Sequence, residues 1–274
     1  MRPMHLLQNT EEILSRITRI RSLGKEFSTN LYAMPDELQS WCERRVAWYM
    51  ESDDVLIVLR ADRDIKRLYH AARDHANLAK ALTTLNAEVD GVQIAELLGR
   101  GDDTQLCANT YHACCFRDHT TLLRMSKSME PSNHPAASSY PCHADAADVF
   151  IISDFLGRVL DPLRDHVPTD AEIREAIAAR RVLIKRASKE IRGILFYEDE
   201  AAGSVLRYWY VDPAHSNEGI GGQLMREYIR LCQGKKRISL WVVVDNHGTI
   251  EKYQHYGFRF DGLSDRILVR SRRA

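Results

Sequence analysis

The stretch "SVLRYWYVDPAHSNEGIGGQLMREYIRLCQG", Ser204 to Gly234, restricts the fold more than any other part of the chain. A β-branched and aromatic run is stopped by Pro213, which cannot donate to a ladder. Three glycines then fall in four positions, Gly219, Gly221 and Gly222. Behind them Leu224, Met225, Tyr228, Leu231 and Cys232 recur at helical spacing, and Gly234 ends the run. A strand that feeds a helix through bare glycines offers unpaired amides to a phosphate group. The next run, "ISLWVVVD", is a buried strand, so the unit is strand–loop–helix–strand in an α/β or α+β fold.

Three phosphate loops have this general form. A Walker loop needs Gly-Lys-Ser/Thr, and here Gln223 and Leu224 follow Gly222. A dinucleotide loop needs a third glycine where Leu224 stands and a tight turn, whereas Asp212 to Glu218 intervene before Gly219. Only about thirty residues follow Asp245, too few to complete a doubly wound sheet.

The third form accounts for more residues. "YVDPAHSNEGIG" carries Val211-Asp212-Pro213 and then Gly219-Ile220-Gly221; beyond the next strand come Asn246, Thr249, Tyr253 and Gly257-Phe258. In this order and spacing the stretch from about Tyr140 to Arg270 resembles the GNAT superfamily of N-acyltransferases. Two positions depart from the pattern: Thr249 replaces an alanine, and Ser216 stands where an arginine or glutamine is usual.

The resemblance implies a mixed, mostly antiparallel sheet flanked by helices, and acetyl-CoA as acyl-donor substrate. Val211, Glu218, Gly219, Ile220, Gly221, Gly222 and Asn246 are then the cofactor-binding candidates. Gly219 and Gly221 would let the backbone approach the pyrophosphate. Asn246 would bond the pantetheine arm or cap a helix. A splayed strand from Leu206 to Val211 would admit the thioester, with an amide near Tyr210 or Val211 for the oxyanion. Tyr253 is the implied catalytic residue, handing a proton to the leaving thiolate. Asp161, Asp165 and Arg207 are the acceptor-binding candidates; Tyr208 and Trp209 could add contacts, and Asp161, Asp165 or His166 could serve as base. The implied activity is N-acetyl transfer to a primary amine by direct attack in a ternary complex. A non-catalytic acyl-CoA sensor or scaffold is the alternative.

The rest of the chain supplies context. "SKSMEPSNHPAASSYP" has nothing to bury and reads as a linker over 126–141. It separates a GNAT-like domain at 142–274 from a degenerate, related domain at 1–125, giving two domains in tandem. "YHACCFR" at Tyr111 resembles "YQHYGFR" at Tyr253, and "VLIVLRADRDIKRL" at Val55 resembles "VLIKRASKEIRGIL" at Val182. These landmarks lie 111 − 55 = 56 residues apart in one half and 253 − 182 = 71 in the other, so the first half lacks about a strand and a loop. In the second half "TDAEIREAIAA" opens as a capping box on Thr169 and Glu172, and "FRFDG" and "RILVRS" close as a strand pair.

With 38 basic and 38 acidic side chains the chain has no general attraction for nucleic acid or anionic lipid, so "GKKR" and "RSRR" read as solvated clusters. No apolar run approaches a membrane span or a secretory leader, which gives a cytoplasmic expectation. The six cysteines form no zinc spacing and read as thiols, so no metal is expected. The expected partner is a small-molecule or peptide amine, with the chain a monomer or homodimer.

Overall fold

The computed structural model describes residues 4–24, 26–129, 142–187 and 190–271. It divides into two compact units. The first is Met1–Leu122 with Gly262–Ala274, and the second is Leu123–Asp261. The linker expected at 126–141 lies outside the described residues from 130 onward; its start, Ser126–Ser128, is the end of a strand.

In the first unit, α1 (Thr10–Ser22) is capped by Asn9, and α2 (Pro35–Arg44) starts with proline at its first position. Strands β3 (Ala47–Glu51), β4 (Val55–Asp62) and β5 (Ile65–Ala72) form an antiparallel meander. Helix α3 (His75–Glu88) crosses over to β6 (Val92–Arg100), which lies parallel to β5. Helix α4 (Gln105–Ala113) and β7 (Arg117–Ser128) follow. Short pieces β1 (His5–Leu6) and β2 (Ser28–Thr29) pair with β3 and β5. Buried residues of α3 and α4 pack on one sheet face, those of α1 and α2 on the other.

The second unit repeats the plan. After β8 (Cys142–His143), α5 (Val149–Val159) and α6 (Asp170–Ala178) cover one face; Thr169 and Glu172 form the expected capping box. Strands β9 (Val182–Ala187), β10 (Glu190–Asp199) and β11 (Gly203–Val211) are the antiparallel meander. Helix α7 (Ile220–Leu231) leads to β12 (Arg237–Val243), parallel to β11. Helix α8 (His247–His255) precedes β13 (Arg259–Arg270). Helices α7 and α8 seal the other face over Leu224, Tyr228, Leu240 and Phe258.

Two expectations change. The "FRFDG" and "RILVRS" segments are one strand, β13, carried through Gly262 at φ +84. Its part from Leu263 to Arg270 pairs with Arg100 to Gln93 of β6, so it completes the first unit, not a 142–274 domain. β5 bonds β6 over only three residue pairs, and β13 covers the other edge of β6, which would otherwise carry unpaired backbone groups. The second change concerns the internal match. The β4–β5 hairpin stands directly before α3, as β10–β11 stands before α7, so the partner of β4 is β10 and not β9. Measured from Glu190 the second-half spacing to Tyr253 is 253 − 190 = 63 residues against 56, and no strand is missing.

Candidate functional site

The site of the second unit begins at a bulge. Leu206 pairs with Tyr197 and Tyr208 with Phe196, leaving Arg207 as the extra residue. A bulge increases local twist and bends its strand. Parallel pairing of β11 with β12 accordingly ends at Leu206 and Leu240. Beyond it, among the described residues, no strand pairs with the free edge of β11 from Arg207 to Val211. The Asp212 N–H bonds Arg192 C=O at 2.9 Å, so alternation along the ladder turns the amide of Tyr210 toward β10 and those of Trp209 and Val211 toward the gap. Of the two amides considered for an oxyanion, Val211 is the one that faces the opening.

At the end of this edge the chain turns through Asp212–Gly219 into α7. Gly219 is the N-cap at φ +71, and no side chain caps the helix. The amides of Gly219, Ile220, Gly221 and Gly222 have no acceptor within the helix; the first internal bond is Gln223 N–H to Gly219 C=O. The glycines have separate reasons. A Cβ at Gly219 would meet no protein atom within 4 Å, so within the protein glycine is required there by its backbone angle. A Cβ at Gly221 would lie 3.2 Å from Trp209 Cζ2 and 3.4 Å from Val211 Cγ2, so that glycine seats α7 on β11.

Glu218 is exposed and already engaged. It accepts from His215 Nδ1 at 2.7 Å and from Arg192 at 3.2 Å, and the His215 bond holds its carboxyl below the usual range. Arg192, on β10, brings a cation beside the loop that Ser216 lacks. Asn246 takes the helix-cap alternative: its Oδ1 accepts from Thr249 N–H.

Tyr253 projects from α8 into the core beside this opening. Its ring lies 5.4 Å from that of Trp209 and 5.9 Å from that of Phe258. Burial alone pushes its phenol pKa well above the ordinary value, so it stays protonated at neutral pH. Trp209 Nε1, buried next to it, has no hydrogen-bond partner among the described residues. An orphan buried donor of this kind costs about 1–3 kcal/mol, an argument for a ligand acceptor at this place.

The acceptor candidates are less available than their composition suggested. Asp165 is bidentate to Arg164 at 2.7 and 3.0 Å and accepts from the Asp161 amide; Asp161 accepts from Leu163 N–H. His166 faces Glu172 at 3.3 Å, and its carbonyl accepts from the Tyr208 hydroxyl. The loop therefore binds itself and sits over Tyr208. Arg207 is exposed and paired with Glu198 at 3.1 Å. Sequence reasoning missed the bulge, since no residue type marks it, and it also missed Arg192 and Trp209 as neighbours of the loop. Among the described residues no group of three or more His, Cys, Asp or Glu side chains is placed for a metal ion, and no helix is long and apolar enough to cross a membrane.

A bulged strand, a gap beside a parallel neighbour and an uncapped glycine helix start together make up the candidate site. Residues 163–258 match the acetyltransferase (GNAT) family, and the chain carries a GNAT acetyltransferase domain there. A stretch of 64 residues is 38% identical to the L-amino acid N-acetyltransferase AaaT of Escherichia coli (strain K12); it spans 22% of this chain and 40% of that relative. The fold of almost the whole chain is similar to a GCN5-related N-acetyltransferase from Sphaerobacter thermophilus, at TM-score 0.63 and 11% identity, over 98% of this chain and 95% of that one. It is also similar to a tandem GNAT protein from the clavulanic acid biosynthesis pathway, at TM-score 0.61 and 12% identity, over 97% of each chain.

Proposed function

We propose that the second unit transfers an acetyl group from acetyl-CoA to a primary amine in a ternary complex. The observation that carries this reading is the continuity of open backbone donors: the Trp209 and Val211 amides at the gap lead into the four uncapped amides of Gly219–Gly222. The first-turn amides, with the positive end of the α7 dipole, suit a pyrophosphate. The open edge of β11 suits the amide-rich arm, which would take the place of a missing strand. The amine attacks the thioester carbonyl while the Val211 amide holds the developing oxyanion. When the carbon–sulfur bond breaks, the Tyr253 hydroxyl gives its proton to the thiolate; the amine's proton passes to solvent, and solvent returns one to Tyr253, so that thiol and amide form with no net proton change. The engagement of Asp165 by Arg164 argues against that carboxylate as base.

The test is thiol release from acetyl-CoA over a panel of primary amines, with mass measurement of the product. Acetylated amine and stoichiometric thiol are expected. Tight acetyl-CoA binding without thiol release on any amine would favour the sensor or scaffold reading instead.

A further inference from the structure

β7 brings an unused cation to the gap. The Met129 N–H bonds Lys236 C=O at 3.1 Å, and β7 neighbours β12 in the sheet within the second unit. On these neighbouring strands Arg124 meets Trp241. Its guanidinium lies 6.0 Å from the indole centroid. Arg124 Nε donates to Asp261 at 2.7 Å; among the described residues nothing else engages its two Nη groups. A guanidinium gripped through Nε and backed by an indole presents its Nη edge in a fixed plane, the geometry that takes a carboxylate with two bonds. The side chain is four-fifths buried, so a carboxylate there is little screened by water.

Its position gives the pair a function. Trp241 is the residue immediately after Leu240, where β12 loses β11 and the gap begins. Leu240 and Val242 face the α7–α8 core, so Trp241 and Arg124 lie on the opposite face of the sheet, the face that carries Tyr208 and Tyr210. An acceptor entering from that face meets the thioester and Arg124 together.

We propose that Arg124 binds a carboxylate on the acceptor, a few bonds from the attacking amine, so that the substrate class is an amino acid. This rests on the acetyltransferase reading for its purpose but not for its measurement. The full chain, saturated with coenzyme A, is titrated calorimetrically with the standard L-α-amino acids and with their carboxamides. At least one acid should bind about tenfold or more tightly than its own amide, the size of a charge-assisted bond pair. Arg124→Met should lower that acid to the affinity of the amide. Arg124→Lys, which keeps the Asp261 pair, should fall between the two, and both variants should keep acetyl-CoA affinity. Equal affinity for acid and amide, no binding of any acid, or equal weakening of both by Arg124→Lys would overturn the assignment. Acid-selective binding without thiol release would sink the transferase reading and leave Arg124 in place; thiol release indifferent to the carboxylate would do the reverse.

Discussion

The two units share a plan but treat the same three places differently. In the second, eight residues (212–219) join β11 to α7, and the helix start is uncapped glycine. In the first, only Arg73 and Asp74 join β5 to α3, and the Asp74 carboxylate takes the Asn77 amide at 2.8 Å. A helix start capped by its own carboxylate repels a pyrophosphate. The gap differs as well. Parallel pairing of β5 and β6 ends at Arg67 and Ile94, but β2 then occupies the free edge of β5 through Ser28 and Thr29. Asn30 fills what remains: its Nδ2 donates to Leu68 C=O at 3.0 Å and Glu96 C=O at 3.1 Å, and its Oδ1 accepts from His70 N–H at 2.6 Å. The third place is the tyrosine. Tyr111 and Tyr253 each accept, at the carbonyl, the amide of a phenylalanine five residues on, at 3.1 Å in both units. Yet the Tyr111 hydroxyl is spent on His70 Nδ1 at 2.9 Å, with Ser28 Oγ 3.1 Å from Nε2, whereas the Tyr253 hydroxyl makes no such bond among the described residues. We propose that the scaffold is open in the second unit and plugged in the first, so that the first unit serves as a structural domain that does not take the donor.

The comparison is most easily broken at the tyrosines. Tyr253→Phe should lower kcat by about a hundredfold or more, with acetyl-CoA affinity kept. Tyr111→Phe should leave kcat alone and lower stability by about 1–3 kcal/mol, because His70 loses a buried partner. Steady-state kinetics with thermal melts separate the two, and a large kcat loss in Tyr111→Phe would mean that the first unit takes part in the chemistry. Next in size is the helix seat. Gly221→Val drives a side chain into Trp209 and Val211, a misfit of about 1–3 kcal/mol, and should weaken acetyl-CoA binding about ten- to hundredfold by titration. Asn30→Ala should cost stability of the same order with no change in acetyl-CoA affinity.

Acid sharpens the contrast. Complete burial lowers the His70 pKa to about 3 from an ordinary 6.5. The unfolded chain then binds a proton that the folded chain refuses, so stability is full above pH 6.5 and falls as pH drops toward 3. In the second unit Glu172, held at about 2 chiefly by its bond to His166, begins to withdraw stability only below its ordinary 4.5. Burial lowers half-buried His143 of the second unit in the same direction, so hydrogen exchange at pH 5 should show the amides around fully buried His70 loosening most, and His70→Gln should flatten the difference. The smallest effect belongs to Ser216. Ser216→Arg restores the missing cation at an exposed site that Arg192 already serves, and should tighten acetyl-CoA binding about fivefold or less.

Much of the second unit was legible because its signals are local. The capping box at Thr169, the stop at Pro213 and the Gly219-Ile220-Gly221 loop each act within a few residues. The tyrosine repeat was legible too; the structure adds that Gly257 at φ +88 and Cys115 at φ +68 fill the same left-handed position. What escaped notice depends on pairing. The Val55 and Val182 runs look alike because both are buried hairpins, yet they occupy different strands of the plan. The bulge at Arg207, the plug at Asn30, the transfer of Leu263–Arg270 to the first unit and the use of Arg124 are set by partners far along the chain. In "DPLRDH" the pairing of Asp165 with Arg164 is not visible in the sequence either, since it depends on how the loop folds back on itself.

The central claim is that one copy of the fold is open to the donor and the other is closed. Calorimetric titration of the full chain with acetyl-CoA tests it most directly. One site per chain, weakened by Gly221→Val and indifferent to Asn30→Ala, is the predicted result. Two sites per chain, or a single site that survives Gly221→Val and vanishes with Asn30→Ala, would contradict it.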